Sequence, residues 1–166
     1  MAGTCEEWTA WLDRHGAALV LFARQWVASR SDAEDVVQEA FVRCWRSRSE
    51  ATDLAAYLYA CVKHGALDRK RDRARQCRRE QAVARPEGEA LFAGEPLEHD
   101  ERRAAIDVAL SELPEAQREV LVLKIWGGLS FPQIADVLRI SSNTAASRYR
   151  YALAKLRGQL AEESIR

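Results

Sequence analysis

The strongest constraint on this chain is the spacing of its apolar residues. They return every three or four positions over stretches too long for strands. Trp8, Trp11, Leu12, His15, Leu19, Phe22 and Trp26 fall on one face of a single long helix. Almost nothing interrupts such segments: 166 residues include only eight glycines and four prolines. The expected fold class is therefore all-α. At 48% hydrophobic and 30% charged residues, the chain can bury a core and remain soluble. His15 lies on the buried face with no second ligand at metal spacing, so it reads as a core histidine.

Helix starts are marked by capping patterns. Thr4-x-x-Glu7 and Ser31-x-x-Glu34 have the capping-box spacing, in which a hydroxyl accepts a helix-end amide and the acid returns to the cap. Thr52 and Asp53 cap a third helix. The expected inward residues are Ala33, Val37, Ala40, Phe41 and Cys44 in the second helix. In the third they are Leu54, Leu58, Cys61 and Val62. Residues 84–97 hold two of the prolines and two of the glycines, with no apolar period, and read as a flexible linker. Two small helical domains are expected, 1–83 and 98–166, joined by an acidic linker at 84–97. In the second, Ile106, Leu110 and Leu113 form one face, Pro114 starts a helix, and Gly127-Gly128 ends the apolar run from Val120 to Trp126.

The C-terminal domain carries a helix-turn-helix at about 130–157. Phe131, Ile134, Ala135 and Leu138 make a short amphipathic helix, and Arg139 to Ser142 a tight turn capped by Ser141 or Ser142. In the next helix Ala145, Tyr149, Ala152, Leu153, Leu156 and Leu160 share a face. Asn143, Thr144, Ser147 and Tyr151 lie opposite, flanked by Arg148, Arg150 and Lys155. Small polar groups near a helix N-terminus can approach base edges in the major groove, while flanking cations hold phosphates. A solvated helix would account for the charges, but not for the short helix, tight turn and acid-free second helix together.

The net charge is zero, yet the charges are segregated. Residues 63–79 carry Lys63, Arg69, Lys70, Arg71, Arg73, Arg75, Arg78 and Arg79 against Asp68 and Asp72. Residues 139–157 contain no acid. In the second helix Asp35 and Glu39 stand on an outward stripe with Val42, beside Gln38. On these residues alone the stripe fits a solvated face as well as a dock for a basic partner. In the third helix Lys63, His64, Lys70 and Arg71 point outward, with Tyr57 and Tyr59 at the flanks. Cations interleaved with aromatic rings suit nucleic acid whose bases are exposed. Packing is the competing role for the tyrosines. Cys61 and His64, three apart, make too few ligands for a metal site.

Several function classes are excluded at this level. No Ser/His/Asp cluster, phosphate-cradling glycine loop or metal quartet is present, so no enzyme and no cofactor is expected. The four cysteines form no C-x-x-C pair and read as buried or free thiols of a reducing compartment. No secretory signal or membrane-length apolar run is visible, so no membrane insertion and a cytoplasmic location are expected.

Three segments, in order, resemble bacterial RNA polymerase sigma factors of the sigma-70 family, extracytoplasmic-function (ECF) type. Asp32 to Trp45 is similar to their core-polymerase-binding segment. Tyr57-Leu58 through Asp68 and Arg71 is similar to the promoter-melting segment. Leu113-Pro114 through Arg157, with Leu129-Ser130, Ile134-Ala135 and Thr144-x-x-Ser147-Arg148, resembles the duplex-reading region. The resemblance implies that Asp35, Gln38, Glu39 and Val42 dock on the clamp helices of the polymerase's largest subunit. It implies that Tyr57, Tyr59, Lys63, His64, Arg69, Lys70 and Arg71 meet the minus-ten element. It further implies that Asn143, Thr144, Ser147, Arg148, Arg150, Tyr151 and Lys155 read the minus-thirty-five element. The linker, with Glu87, Glu89 and Glu95, would thread the RNA path. Promoter DNA, as duplex and as melted strand, and core polymerase are the implied partners, with no small-molecule substrate. Members of the group are often held by an anti-sigma factor. Two departures stand out: Lys63-His64 replaces the usual Arg-Asn, and Ala146 and Tyr151 stand where basic residues are common. The alternative reading is a free-standing helix-turn-helix regulator that needs no core polymerase.

Overall fold

The computed structural model describes residues 5–47, 52–80 and 100–163. Every element among them is a helix. Contacts divide the chain into two units, Met1–Glu89 and Ala90–Arg166. The linker expected at 84–97 and the Thr4 cap lie outside the described residues.

The first unit packs α1 (Cys5–Ala23), α2 (Arg30–Ser47) and α3 (Leu54–Glu80) against one another. The cap of α2 sits two residues earlier than the expected Ser31. The Ser29 hydroxyl accepts from the Asp32 N–H at 3.0 Å and donates to the Asp32 carboxylate at 2.8 Å. The Ser29 carbonyl takes the first helical bond, from Ala33. Two overlapping Ser-x-x-acid patterns compete here, and Glu34 of the losing one pairs with Arg30 at 2.8 Å. Asp53 caps α3 as expected, accepting from the Ala56 N–H at 3.0 Å.

The core of this unit is Leu19, Phe22 and Trp26 of the first helix and its exit, the α2 stripe Ala33, Val36, Val37, Ala40 and Cys44, and Leu58, Tyr59, Cys61, Val62 and Ala66 of α3. Phe41, expected inside, is half-buried, and Val36 takes its place. Helices α2 and α3 approach closely at Gly65, where an added Cβ would stand 3.3 Å from Val36 Cγ1. His15 is half-buried and stacks on Trp11 with ring centroids 4.4 Å apart. Burial, then the nearby Arg14, lower its basicity.

The second unit contains α4 (Asp100–Ser111), α5 (Glu115–Ile125), α6 (Phe131–Leu138) and α7 (Ser142–Glu163). Leu110, Leu113, Leu121 and Ala152 form its core, with Trp126, Tyr149, Leu153 and Leu156 packed around them. Ile106 is exposed rather than inward. Leu110 and Leu113 are buried as expected, and Ala109 joins them on the inner face. Pro114 is the N-cap of α5, and its carbonyl accepts from Gln117 and Arg118 at 2.9 and 3.0 Å. Val120 to Leu123 are all buried. The helix closes through Gly127 onto the Val122 carbonyl, and Gly128 turns the chain at φ 65°.

Candidate partner and nucleic-acid interfaces

The helix-turn-helix is locked at both of its starts. Ser130 and Gln133 form a reciprocal capping box on α6, with bonds of 3.3 and 2.7 Å, and Pro132 sits in the first turn. In the following turn Arg139 adopts the left-handed conformation, φ 54° and ψ 49°, where glycine is the usual residue. Ser141, one of the two expected caps, holds the start of α7 by accepting from the Thr144 N–H at 3.0 Å. An edge-to-face contact of Phe131 with Tyr149, 5.7 Å between centroids, joins α6 to α7. The Lys124 ammonium lies over the Phe131 ring, 4.9 Å from its centroid, and donates to the Leu129 carbonyl.

This scaffold leaves the outer face of α7 available. Asn143 and Arg150 are exposed, and Thr144, Ser147 and Arg148 are half-exposed. Tyr151 is 60% exposed, with the Arg150 guanidinium 5.8 Å from its ring centroid. The Thr144 hydroxyl also bonds Ser141, at 2.8 Å, so it belongs to the cap as well as to the face. Lys155 is exposed as well, and its ammonium also bonds the Glu112 carbonyl at 2.6 Å, tying α7 to the chain just after α4.

The first unit carries two surfaces of opposite sign. On α2, Asp35, Gln38, Glu39 and Val42 are all exposed, and Val42 is 47% accessible. A shallow groove runs between Gln38, Glu39, Val42, Arg43 and Arg46. On α3, His64, Lys70, Arg71, Arg73, Arg75, Arg78 and Arg79 are exposed. Lys63 is half-buried, its ammonium 5.7 Å from the Trp26 ring centroid. Arg71 pairs with Asp68 at 3.0 Å.

Two residues expected on the basic surface stand elsewhere. Tyr59 is 1% exposed and packs edge-on against Phe22 at 5.5 Å. Residues two apart on a helix diverge by about 200°, so Tyr57 and Tyr59 cannot share an outward face. Burial pushes the Tyr59 hydroxyl well above the ordinary phenol range and keeps it protonated. Tyr57 is half-buried, with Ser47 and Cys61 as hydrogen-bond neighbours. Arg69 crosses to α2, where its guanidinium lies 2.7 Å from Glu39 and 3.5 Å from Asp35. It lies 3.6 Å from Asp32, a residue that sequence spacing did not single out for this surface. No helix–helix register within one element could have shown this contact, since it spans 30 residues of sequence.

Of the cysteines, Cys44 and Cys61 are buried and unbridged, and Cys77 is half-buried and unbridged; the side chain of Cys5 lies outside the described residues. Cys44 and Cys61 hydrogen-bond each other across α2 and α3. That bond, with burial, pushes the Cys44 thiol far up. Cys61 is buried while His64 is exposed, so they face different surroundings. Among the described residues, no three His, Cys, Asp or Glu converge at metal-binding distance. Among the same residues, no helix is long and apolar enough to cross a membrane.

Known proteins share these features. Residues 11–76 match the family description "Sigma-70 region 2", and residues 103–156 match "Sigma-70, region 4". The ECF RNA polymerase sigma factor SigL of Mycobacterium tuberculosis is 32% identical over 92% of this chain and 88% of its own length. The RNA polymerase sigma factor CnrH of Cupriavidus metallidurans is 31% identical over 91% of this chain and 85% of its own. Among solved structures, the sigma factor RpoE in complex with the anti-sigma factor NepR from Bartonella quintana has the same fold. Its TM-score is 0.74 at 23% identity, covering 94% of this chain and 98% of that one. CnrH in complex with the cytosolic domain of CnrY gives a TM-score of 0.64 at 26% identity, covering 96% and 91%. The α2 stripe, the α3 cations up to Arg75 and the outer face of α7 up to Lys155 thus fall inside two matched sigma regions, and the chain belongs to the ECF-type sigma factors of the sigma-70 family.

Proposed function

We propose that this sigma factor docks on core RNA polymerase through Asp35, Gln38, Glu39 and Val42, and grips a two-part promoter through α3 and α7. The carrying observation is that α2 and α3 pack as one unit yet expose opposite charge. The α2 stripe suits a basic partner helix, for which the clamp helices of the largest subunit are the candidate. The exposed cations of α3, with His64 and the edge of Tyr57, suit the non-template strand of the minus-ten element, where backbone charge needs neutralising once the bases separate. Asn143, Ser147 and Arg148 stand where a recognition helix meets base edges, and Arg150 where it meets phosphate. Tyr151 brings an aromatic ring to a position suited to a thymine methyl or a sugar. Thr144 is placed to fix the N-terminus of that helix against the groove. The chain makes no bond itself: binding energy at two points is spent on strand separation, and the polymerase does the chemistry.

Run-off transcription with purified core enzyme tests this reading. Core plus this chain is expected to initiate at a cognate promoter, and core alone is not. An Asp35→Arg/Glu39→Arg variant is expected to keep its fold and lose core binding. A chain that binds the promoter duplex tightly by itself, yet never supports initiation with core, would instead be a free-standing regulator. An anti-sigma factor is a further proposed partner, since the RpoE and CnrH structures hold NepR and CnrY.

A further inference from the structure

The acidic face of α2 is already partly occupied by the chain itself. Asp32, Asp35 and Glu39 stand on successive turns, and Arg69 of α3 lies across all three at 3.6, 3.5 and 2.7 Å. Asp32 is fixed in turn by the Ser29 hydroxyl at 2.8 Å, so one end of this arrangement is held by the helix cap. Asp35 and Glu39 are like charges at i, i+4, and would repel each other without a cation between them. The guanidinium is 31% exposed and the two carboxylates are 55% and 66% exposed, so the pairing is accessible and exchangeable. Its neighbours in sequence, Lys70 and Arg71, are exposed on α3.

We propose that Arg69 is an internal competitor for the docking face, which a basic helix of core polymerase must displace. Once displaced from Asp35 and Glu39, it adds its charge to the cationic length of α3. Docking then exchanges ion pairs instead of only adding them. The exchange lowers affinity for core in the absence of DNA. By linkage, docking raises affinity for melted DNA by the same factor that DNA raises affinity for core. This inference rests on the docking reading above and specifies how that face is regulated.

The test uses the full chain and purified core polymerase without promoter DNA, comparing wild type, Arg69→Gln and Arg69→Met. The methionine keeps an unbranched apolar side chain at that position, and circular dichroism checks that both variants fold. Losing an exposed but multiply paired competitor is expected to tighten core binding about fivefold in both variants. Unchanged or weaker binding in both variants overturns the proposal. The underlying docking reading fails differently: the wild-type chain does not bind core, or Asp35→Arg/Glu39→Arg binds as well as wild type. In either of those cases this proposal falls with it. If the charge-reversed variant loses core while Arg69→Gln and Arg69→Met bind no tighter, the dock stands and only the competitor is removed.

Discussion

The ring of Tyr59 sits between α1 and α3 against Phe22, while its hydroxyl is buried with no hydrogen-bond partner among the described residues. An unsatisfied buried hydroxyl destabilises, whereas the ring it sits on fills space that nothing else can fill. Tyr59→Phe is therefore expected to leave stability unchanged or raise it by up to about 1 kcal/mol. Tyr59→Ala is expected to lose about 3–5 kcal/mol, the range for deleting a buried aromatic ring. Urea unfolding of the two variants separates the terms. A Tyr59→Ala chain of normal stability that failed only in promoter opening would return this residue to the DNA surface.

At the scale of elements, the turn between α6 and α7 sets the angle at which α7 is presented, and it does so through a strained residue. A non-glycine residue in the left-handed region costs about 1–2 kcal/mol, and a glycine there gives back part of the gain through its greater freedom when unfolded. Arg139→Gly is expected to stabilise the second unit by about 0.5–1 kcal/mol net, read as a raised midpoint in denaturant. A destabilised variant would mean that the exposed arginine side chain holds the turn through contacts of its own. The amphipathic spacing of α6 and α7 was legible because helix propensity, cap chemistry and burial agree there. The start of α2 was less legible, because Ser29-x-x-Asp32 and Ser31-x-x-Glu34 overlap and only the packed helix selects one. Ile106 shares the helical period of Leu110, but burial on α4 falls on Ala109 and Leu110, a ranking that periodicity alone does not give. For the contact of Arg69 with α2 the reason is different. Within α3 the residue belongs to a run of cations, and only the tertiary approach of α2 at Gly65 carries it to the acidic stripe.

For the whole molecule, the zero net charge decides how far the chain can act alone. Duplex affinity comes largely from phosphate neutralisation, and each phosphate contact adds about 0.9 to the slope of log affinity against log salt. On α7 the cations left for this are Arg148, Arg150 and Arg157, since Lys155 is bonded within its own unit. The isolated chain is therefore expected to bind a duplex minus-thirty-five element weakly, with a slope of about −2.7 and a loss of about 40-fold between 50 and 200 mM salt. On the proposed reading α3 also meets the DNA backbone in the core-bound state on a full promoter, so the slope is expected to steepen well beyond that value. Titrations of the same labelled DNA over a salt series, with and without core, measure both. An isolated chain whose slope already matched that of the core-bound form would be using α3 and α7 together on duplex DNA. That result would favour a self-sufficient DNA binder over a subunit whose grip is completed by the polymerase.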